Sequence, residues 1–276
     1  MAHPQIATFA RLAKGGDAPA RTIAGQATKL SRTMHDIRYD AVHDEFLVTN
    51  PFAGAILVFR GGADGEEAPI RIIQGPSTML ESPDRLDVDA VHNEIFVPEG
   101  DRILVYPREG NGDVAPIRMI RGPDTQLRSA ATLSVDPAHD LLIVGLNKTD
   151  RTGRAPNGAL LVFHRTDNSN VKPRGVIRGP KSGIVRITQL AINPQRKLIV
   201  ATQPGPIEDM EPEGAFIGVW SMDDNGDVAP RWKIPTGPTS TLKKPRGAVL
   251  DPKNKELIVA DMRLNAILTY YFPEIF

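Results

Sequence analysis

Residues 71–122 read RIIQGPSTMLESPDRLDVDAVHNEIFVPEGDRILVYPREGNGDVAPIRMIRG, and this stretch decides the fold. Short apolar runs at residues 70–74, 85–89, 94–97 and 102–106 are separated by clusters of Gly, Pro, Asn and Asp. Runs of this length, rich in Val, Ile and Leu and bounded by turn residues, predict short antiparallel strands. The stretch begins and ends with the same pattern, in which an Arg opens a short apolar run and a Gly follows it. It is therefore one period of a repeat.

The same four-strand pattern recurs along the chain. Its leading arginines stand at positions 21, 71, 118, 174 and 231, so the period is 47 to 57 residues. Four short strands in a period of about 40 to 50 residues are typical of a β-propeller blade. We therefore predict an all-β protein in which four-stranded antiparallel blades form one domain over residues 1–276.

The two ends of the chain carry incomplete repeats. Residues 5–25 match the last two strands of a repeat, and residues 246–271 match the first three. We predict that the N-terminal strands, residues 5–9 and 20–24, complete the last blade, residues 237–276, and that this pairing closes the ring. Five blades are favoured and six are the alternative. Twenty-one strands are one more than five blades need, so a homodimer formed through the spare strand stays open.

Composition excludes several classes of function. The chain has 33 basic and 33 acidic residues, so nucleic acid and anionic membranes are not expected partners. It has no cysteine, which rules out disulfides and thiol catalysis. No apolar run reaches the length of a membrane span, and no signal-peptide pattern opens the sequence. A cytoplasmic location is the default, and a secreted bacterial protein is the alternative.

A residue that recurs at one position in several repeats is expected to maintain the fold, whereas a residue that departs from the repeat is free for function. His43, His92 and His139 occupy one equivalent turn position in three repeats, so we interpret them as turn residues and not as zinc ligands. The acidic run at residues 223–227 resembles the start of a calcium loop, but it aligns with turns in the other repeats. We expect it to be a turn as well.

Charged side chains on the innermost strands of the first two repeats depart from the repeat. Because strand side chains alternate between faces, the positions two and four residues before each turn Asp or Asn share one face, which we expect to line the channel of the ring. A neutral network of ion pairs and a polar ligand site are both compatible with this pattern. The predicted channel residues are Asp36, Arg38, Arg85, Asp87, Thr132 and Gln189.

The sequence patterns at residues 245–261 and 83–99, each followed by an apolar run, resemble the repeats of known protein families. They resemble the NHL repeat and, more loosely, the gluconolactonase-like propellers. The second resemblance implies a divalent ion held near the axis by Glu, Asn and Asp, oxygen ligands that suit calcium, magnesium or another divalent cation. It also implies a metal-dependent lactonase activity. The candidate ligands by type are Asn50, Glu99, Asn147 and Asp261.

Two long loops after the second strands of the third and fourth repeats form a predicted binding rim. One loop is basic and the other is acidic, with the rim residues Lys148, Arg151, Arg154, Glu208, Asp209 and Glu211. We favour a non-enzymatic binding scaffold without a cofactor, which binds a protein or a small polar ligand. The alternatives are a metal-dependent lactonase-type hydrolase and a structural protein that oligomerises through the spare terminal strand.

Overall fold

The computed structural model describes residues 4–147, 158–205 and 214–276. The chain divides into two compact units, Met1–Glu99 with Leu104–Arg118, and Gly100–Ile103 with Met119–Phe276. Within the described ranges there are 21 strands and six short 3₁₀ helices. No helix in this part of the chain is long and apolar enough to cross a membrane.

The strands follow one another in up-and-down order. The first unit contains β1 (Gln5–Thr8), β2 (Arg21–Ala24), β3 (Ile37–Asp40), β4 (Glu45–Asn50), β5 (Ala55–Arg60) and β6 (Arg71–Gln74). The next sheet consists of β7 (Asp87–Asp89), β8 (Glu94–Glu99), β9 (Arg102–Pro107) and β10 (Arg118–Arg121). The second unit continues with β11 (Ala130–Asp136), β12 (Leu141–Leu146), β13 (Ala159–His164), β14 (Gly175–Ile177), β15 (Gln189–Asn193), β16 (Leu198–Gln203), β17 (Phe216–Ser221), β18 (Trp232–Pro235), β19 (Pro245–Asp251), β20 (Glu256–Asp261) and β21 (Ala266–Tyr271).

The 3₁₀ helices are single turns between strands. Those that follow the fourth strand of a repeat begin after a glycine, and the others lie in hairpin turns or at the C-terminus. Their bounds are Gln26–Thr28, Pro51–Ala53, Pro76–Thr78, Pro123–Thr125, Pro194–Arg196 and Pro273–Ile275.

Five antiparallel sheets in sequence confirm the predicted fold class, a five-bladed β-propeller. Four of the sheets have four strands, and β19–β20–β21 has three. The predicted total of 21 strands is also confirmed. β1 and β2 form a two-stranded sheet of their own. The predicted completion of the last blade by these strands would join the two units and stays a prediction. Within the first unit, β2 is paired with β1 on one edge and bridged to Gly65 on the other.

The long links between third and fourth strands bind the fourth strand of the preceding repeat. Gly112 exchanges two backbone hydrogen bonds with β6, at 2.6 and 3.0 Å. On one side of it, the Asn111 side chain accepts from the Ile72 N–H at 3.1 Å. On the other side, the Asp113 carboxylate accepts from the Ser77 N–H at 2.7 Å. The same arrangement joins residues 64–66 to β2, 168–170 to β10 and 225–227 to β14. The run at residues 223–227 is therefore a turn, as predicted.

This link requires glycine at the end of the fourth strand. Gly75 has a φ of 142°, which few other residues adopt, and a Cβ built there would lie 2.5 Å from the Asp113 carboxyl carbon. Gly25, Gly122 and Gly179 are in the same situation, with φ between 114° and 135° and a link side chain within 2.4 to 2.6 Å of the Cβ position. The recurring Gly is therefore explained both by backbone conformation and by close approach.

Each unit has its own apolar core. In the first unit Ile23 on β2 packs against Phe46, Val48, Leu57 and Phe59 of the sheet β3–β6. In the second unit one cluster joins the sheets β11–β14 and β15–β18, and another joins β15–β18 to β19–β21. Alternating strand residues thus stack successive sheets face to face.

A buried ion cluster supports the first unit. Glu45 on β4 accepts two hydrogen bonds from Arg71, at 2.9 and 2.6 Å, and one from Arg108 at 2.7 Å. The hydrogen bonds from Arg71 lower the pKa of Glu45 below its ordinary value, against the opposing effect of burial. Because Arg108 comes from the link after β9, this carboxylate joins two successive repeats.

Candidate functional site

Three pairs of equivalent positions carry a basic residue in one of the first two complete repeats and an acidic residue in the other. Each pair lies on or just before the innermost strands β3 and β7, at the same distance from the turn residues Asp40 and Asp89. We call this set the charge-reversal cluster: His35 with Asp84, Asp36 with Arg85, and Arg38 with Asp87.

Arg38 lies at the centre of the cluster. Its Nε donates to the Leu86 carbonyl oxygen at 3.1 Å and lies 3.4 Å from the Asp87 carboxylate. Its Nη2 lies 3.8 Å from the Asp36 carboxylate, which is too long for a hydrogen bond. The guanidinium is therefore held between the carboxylates of two neighbouring repeats.

Arg85, from the second of these repeats, donates a hydrogen bond to the first. Its Nη1 donates to the carbonyl oxygens of His35 at 2.7 Å and of Asp84 at 2.9 Å. The side chains of His35 and Asp84 contact each other directly at the exposed end of the cluster. Asp36 accepts a hydrogen bond from the Leu86 N–H at 3.2 Å. Side chain and backbone groups of β3 thus connect to β7 at several points.

Asp36 is the most buried carboxyl of the cluster. Only 7% of its side-chain surface is exposed. Burial raises the pKa of Asp36 above its ordinary value, and the guanidinium groups of Arg38 and Arg85 oppose part of that rise. The cluster therefore contains a carboxyl group that holds its proton more tightly than one in water.

One donor of the cluster has no hydrogen-bond partner within the described residues. The Arg38 Nη2 atom is buried and makes no hydrogen bond there. Leaving a buried donor unsatisfied costs about 1 to 3 kcal/mol. An oxygen atom from outside the chain would satisfy it.

The other predicted channel residues lie in the second unit. Thr132 is fully buried on β11, and its hydroxyl has no hydrogen-bond partner among the residues described. Gln189 is buried at the start of β15. The structure thus brings together four of the six predicted channel residues, Asp36, Arg38, Arg85 and Asp87, and adds His35 and Asp84.

The acidic candidates for a metal site are engaged by backbone. Glu99 accepts from the N–H groups of residues 81 and 82 at 3.1 and 3.2 Å. Asp261 accepts from the N–H groups of residues 243 and 244 at 2.7 and 2.9 Å, and also from those of residues 263 and 264. Both carboxylates fix the loop that precedes the first strand of their own repeat. No group of three or more His, Cys, Asp or Glu able to hold an ion is present in the described ranges.

The amide candidate Asn50 shares that position in the repeat. Asn50 donates to the Lys29 carbonyl oxygen at 3.1 Å, and Gln203 accepts from the Val185 N–H at 2.6 Å. In the third complete repeat Leu146 occupies that last strand position, and Asn147 follows it by one residue. The side-chain oxygens of Asn50 and Asn147 are buried without a hydrogen-bond partner in the part of the chain described. A polar residue that follows the second strand therefore has a structural role in most repeats, which the sequence reading missed for Gln203.

The predicted rim residues cannot be placed. Lys148, Arg151, Arg154, Glu208, Asp209 and Glu211 all lie outside the described residues. The turn histidines, by contrast, are placed as predicted. In His43, His92 and His139, Nδ1 contacts the turn aspartate three residues earlier at 2.7 to 2.8 Å.

His35 is the member of the cluster that sequence reading missed. A signal was present, because a basic residue, His35, and an acidic residue, Asp84, occupy the same repeat position, as in the other two pairs. Comparing successive repeats position by position, and not only against a consensus, would have found all three pairs.

Comparison with known proteins shows a shared fold and no family. No family model and no curated protein matches the chain. A chain of a structure titled "Crystal Structure of Mitotic Checkpoint Complex" is 13% identical with a TM-score of 0.59, over 92% of this chain and 66% of that one. Hydrazine synthase from Kuenenia stuttgartiensis is 12% identical with a TM-score of 0.57, over 81% and 54%. The chain thus spans about two thirds and about half of their lengths, and the likeness at these identities concerns the fold alone.

Proposed function

We propose that the chain is a non-enzymatic binding scaffold and that the charge-reversal cluster binds a small polar ligand. The observation that carries the proposal is the buried Arg38 Nη2, which has no hydrogen-bond partner within the described residues. Arg71 Nε and Arg118 Nε are also buried without a hydrogen-bond partner in the described residues, but the Arg38 guanidinium differs from them in lying between the carboxylates of Asp36 and Asp87. A ligand oxygen at this atom would complete the set.

The chemistry of the cluster defines the ligand class. Arg38 offers a donor, while Asp36 and Asp87 offer acceptors on either side of it. A ligand that carries both an acceptor oxygen and hydroxyl groups fits these neighbours, because each group then meets its complement. The carboxylates of Asp36, Asp84 and Asp87 are paired with cations, which suits binding better than proton transfer.

Lysine substitution of Arg38 tests the proposal. Arg38→Lys retains the positive charge but removes the fixed fork of N–H donors. The melting temperature of the wild type and the variant is measured with D-gluconate, D-glucose and succinate at millimolar concentration, because a ligand bound only by the native state raises stability. We expect at least one of these probes to stabilise the wild type and its affinity to fall about tenfold or more in the variant.

Arg121→Lys is the matched control. Arg121 pairs with Asp101 at 3.3 Å on the surface of the other unit, where about half of each side chain is exposed. This variant is expected to bind as the wild type does. The proposal fails if none of the three probes stabilises the wild type, or if Arg38→Lys responds to them as strongly as Arg121→Lys.

A further inference from the structure

The charge-reversal cluster carries more carboxylates than cations. Its cations are Arg38 and Arg85, and its carboxylates are Asp36, Asp84 and Asp87. With the histidine uncharged, the cluster therefore has one negative charge in excess. An anionic ligand at the Arg38 Nη2 atom would add a further negative charge beside Asp36, and like charges oppose each other strongly at a site shielded from water. A proton taken up with the ligand would remove that opposition.

Asp36 is the carboxyl of the cluster best placed to hold that proton. Its side chain is 7% exposed, against 16% for Asp87 and 48% for Asp84. Burial favours the neutral form of a carboxyl group, and it raises the pKa of Asp36. The Asp36 carboxyl is also next to the proposed ligand contact, since it lies 3.8 Å from Arg38 Nη2.

Within the first unit, the described groups that face Asp36 lie on β3, on β4 and on the segment that leads into β7. Arg38 is the charged neighbour on β3 itself, and Arg85 and Asp87 act on Asp36 from the β7 side. On β4, the Thr49 hydroxyl accepts from the Asp36 N–H at 3.0 Å and carries no charge. The two guanidinium groups oppose protonation of Asp36, whereas burial and Asp87 favour it. An anion bound beside Asp36 also favours protonation, so the proton and the ligand strengthen the binding of each other.

The distance between Asp36 and Arg38 suits a carboxylate ligand. Their side-chain atoms are 3.8 Å apart, which is too long for a hydrogen bond between them. A carboxylate oxygen between them can lie within about 2.5 to 2.9 Å of both, which is the length of a charge-assisted hydrogen bond. Arg38 then donates an N–H and protonated Asp36 donates its O–H. A neutral hydroxyl group needs no such proton, because it can donate to ionised Asp36.

We propose that the charge-reversal cluster binds the carboxylate of a small hydroxylated acid together with one proton, and that Asp36 takes up this proton. The inference rests on the proposed function and specifies the ligand class and its dependence on pH. Binding of the acid weakens as the pH rises, by up to about tenfold per pH unit once Asp36 is ionised in the unliganded protein. Binding of a neutral polyol of the same shape has no such dependence.

D-gluconate and D-sorbitol are a matched pair of probes, because they differ only in a carboxylate against a hydroxymethyl group. Their binding to the full chain is measured by isothermal titration calorimetry between pH 5 and 8, in buffers that differ in ionisation enthalpy. The dependence of the binding enthalpy on the buffer gives the number of protons taken up. We expect gluconate to weaken about tenfold or more across this range and to take up about half a proton or more at one pH at least. Sorbitol is expected to bind without proton uptake.

Asp36→Asn identifies the group that takes up the proton. The amide is neutral and has N–H donors, so it imitates the protonated acid without titrating. We expect this variant to bind gluconate without proton uptake and, at pH 8, about tenfold or more tightly than the wild type. His35→Gln removes a second group of the cluster that can gain a proton, and it should retain the uptake whatever its affinity. Asp101→Asn is the surface control, since Asp101 is 58% exposed, and it should behave as the wild type does. All variants are compared on chains whose circular dichroism matches the wild type.

Three results would overturn the proposal. They are binding of gluconate to the wild type without proton uptake, persistence of the uptake in Asp36→Asn, and binding of D-sorbitol or D-glucose where gluconate does not bind. Each of them leaves the proposed function standing, because a ligand whose affinity depends on Arg38 is still bound. Absence of binding by every probe, succinate included, contradicts the proposed function itself. The failure of this inference is therefore distinguishable from the failure of the proposed function.

Discussion

The sheets β3–β6 and β15–β18 have the same four strands in the same order, yet their innermost strands differ. β15 carries uncharged Ala191 where β3 carries Arg38, and it buries Leu190 where β3 exposes Ile37. The outer strands of both sheets contribute aliphatic and aromatic residues to buried clusters. Departures from the repeat are thus concentrated on the inner strand of the first complete repeat, where the proposed ligand site lies.

The largest expected effect concerns the buried ion cluster that β3–β6 has and β15–β18 lacks. Leu198 on β16 stands where β4 has Glu45, so only the first sheet depends on a carboxylate here. Glu45→Gln leaves two buried arginines with only the exposed Glu109 as a charged partner, and we expect a loss of about 3 kcal/mol in the free energy of unfolding. Urea denaturation measures it.

Glu67→Gln is the control for that substitution. Glu67 also forms a two-pronged pair with an arginine, Arg60, but on the surface. Exposed ion pairs contribute little, so this variant should unfold close to the wild type. Equal losses in the two variants would show that burial of Glu45 does not matter.

Glycine substitutions after the fourth strands β6 and β18 extend the comparison between these two sheets. Gly75 follows β6 beside a bound link, and Gly237 follows β18 with a φ of 153° and nothing within 4 Å of its Cβ position. Gly75→Ala introduces both backbone strain and a clash with Asp113, whereas Gly237→Ala introduces strain alone. We expect Gly75→Ala to cost about 1 to 2 kcal/mol more in chemical denaturation. If the two variants lose the same stability, the link does not contribute to it.

A smaller effect concerns the pH dependence that Asp36 imposes on β3–β6. Because its folded pKa is raised, the native state binds the proton more tightly than the unfolded chain does. The contribution of Asp36 to stability is then fully present below the ordinary pKa of Asp, about 3.9, and is lost as the pH rises toward the folded value. Asp36→Asn should remove this decrease, as measured by urea midpoints between pH 3.5 and 7. Parallel pH profiles for variant and wild type would contradict the shift.

The smallest expected effect is that of calcium. The carboxylates of Glu99 and Asp261 already accept backbone hydrogen bonds. We therefore expect millimolar calcium to leave the melting temperature unchanged. The control is a magnesium-free sodium chloride solution of equal ionic strength. A clear increase specific to calcium would revive the metal-dependent hydrolase.

The fold could be predicted from sequence because its signals are local and repeated. Turn residues such as Asp89 and the apolar runs between them define the strands, and the repeat supplies five readings of each. The fate of the chain ends was harder to predict. β1 and β2 resemble a third and a fourth strand in sequence, but which sheet they complete depends on strands far apart in the chain, so their pairing with the last sheet stays a prediction.

Only part of the candidate site could be predicted for a similar reason. The charges on Arg38 and Asp87 were evident, because they interrupt an otherwise uncharged position. That Glu99 and Asp261 are used by backbone N–H groups follows from loop geometry that residue types do not encode. The open donor on Arg38 depends on distances of a few tenths of an ångström and is visible only in the structure.

We propose that the charged residues on the inner strands of the first two complete repeats bind a ligand. The side-chain NMR signal of Arg38 tests this proposal most directly. Arginine Nε–Hε resonances are recorded in ¹⁵N-labelled protein during titration with D-gluconate, D-glucose and succinate, and the Arg38 signal is assigned by its loss in Arg38→Lys. We predict that it moves in a saturable way with at least one probe while the signal of Arg121 stays in place. An Arg38 resonance that stays fixed with all three would contradict the account.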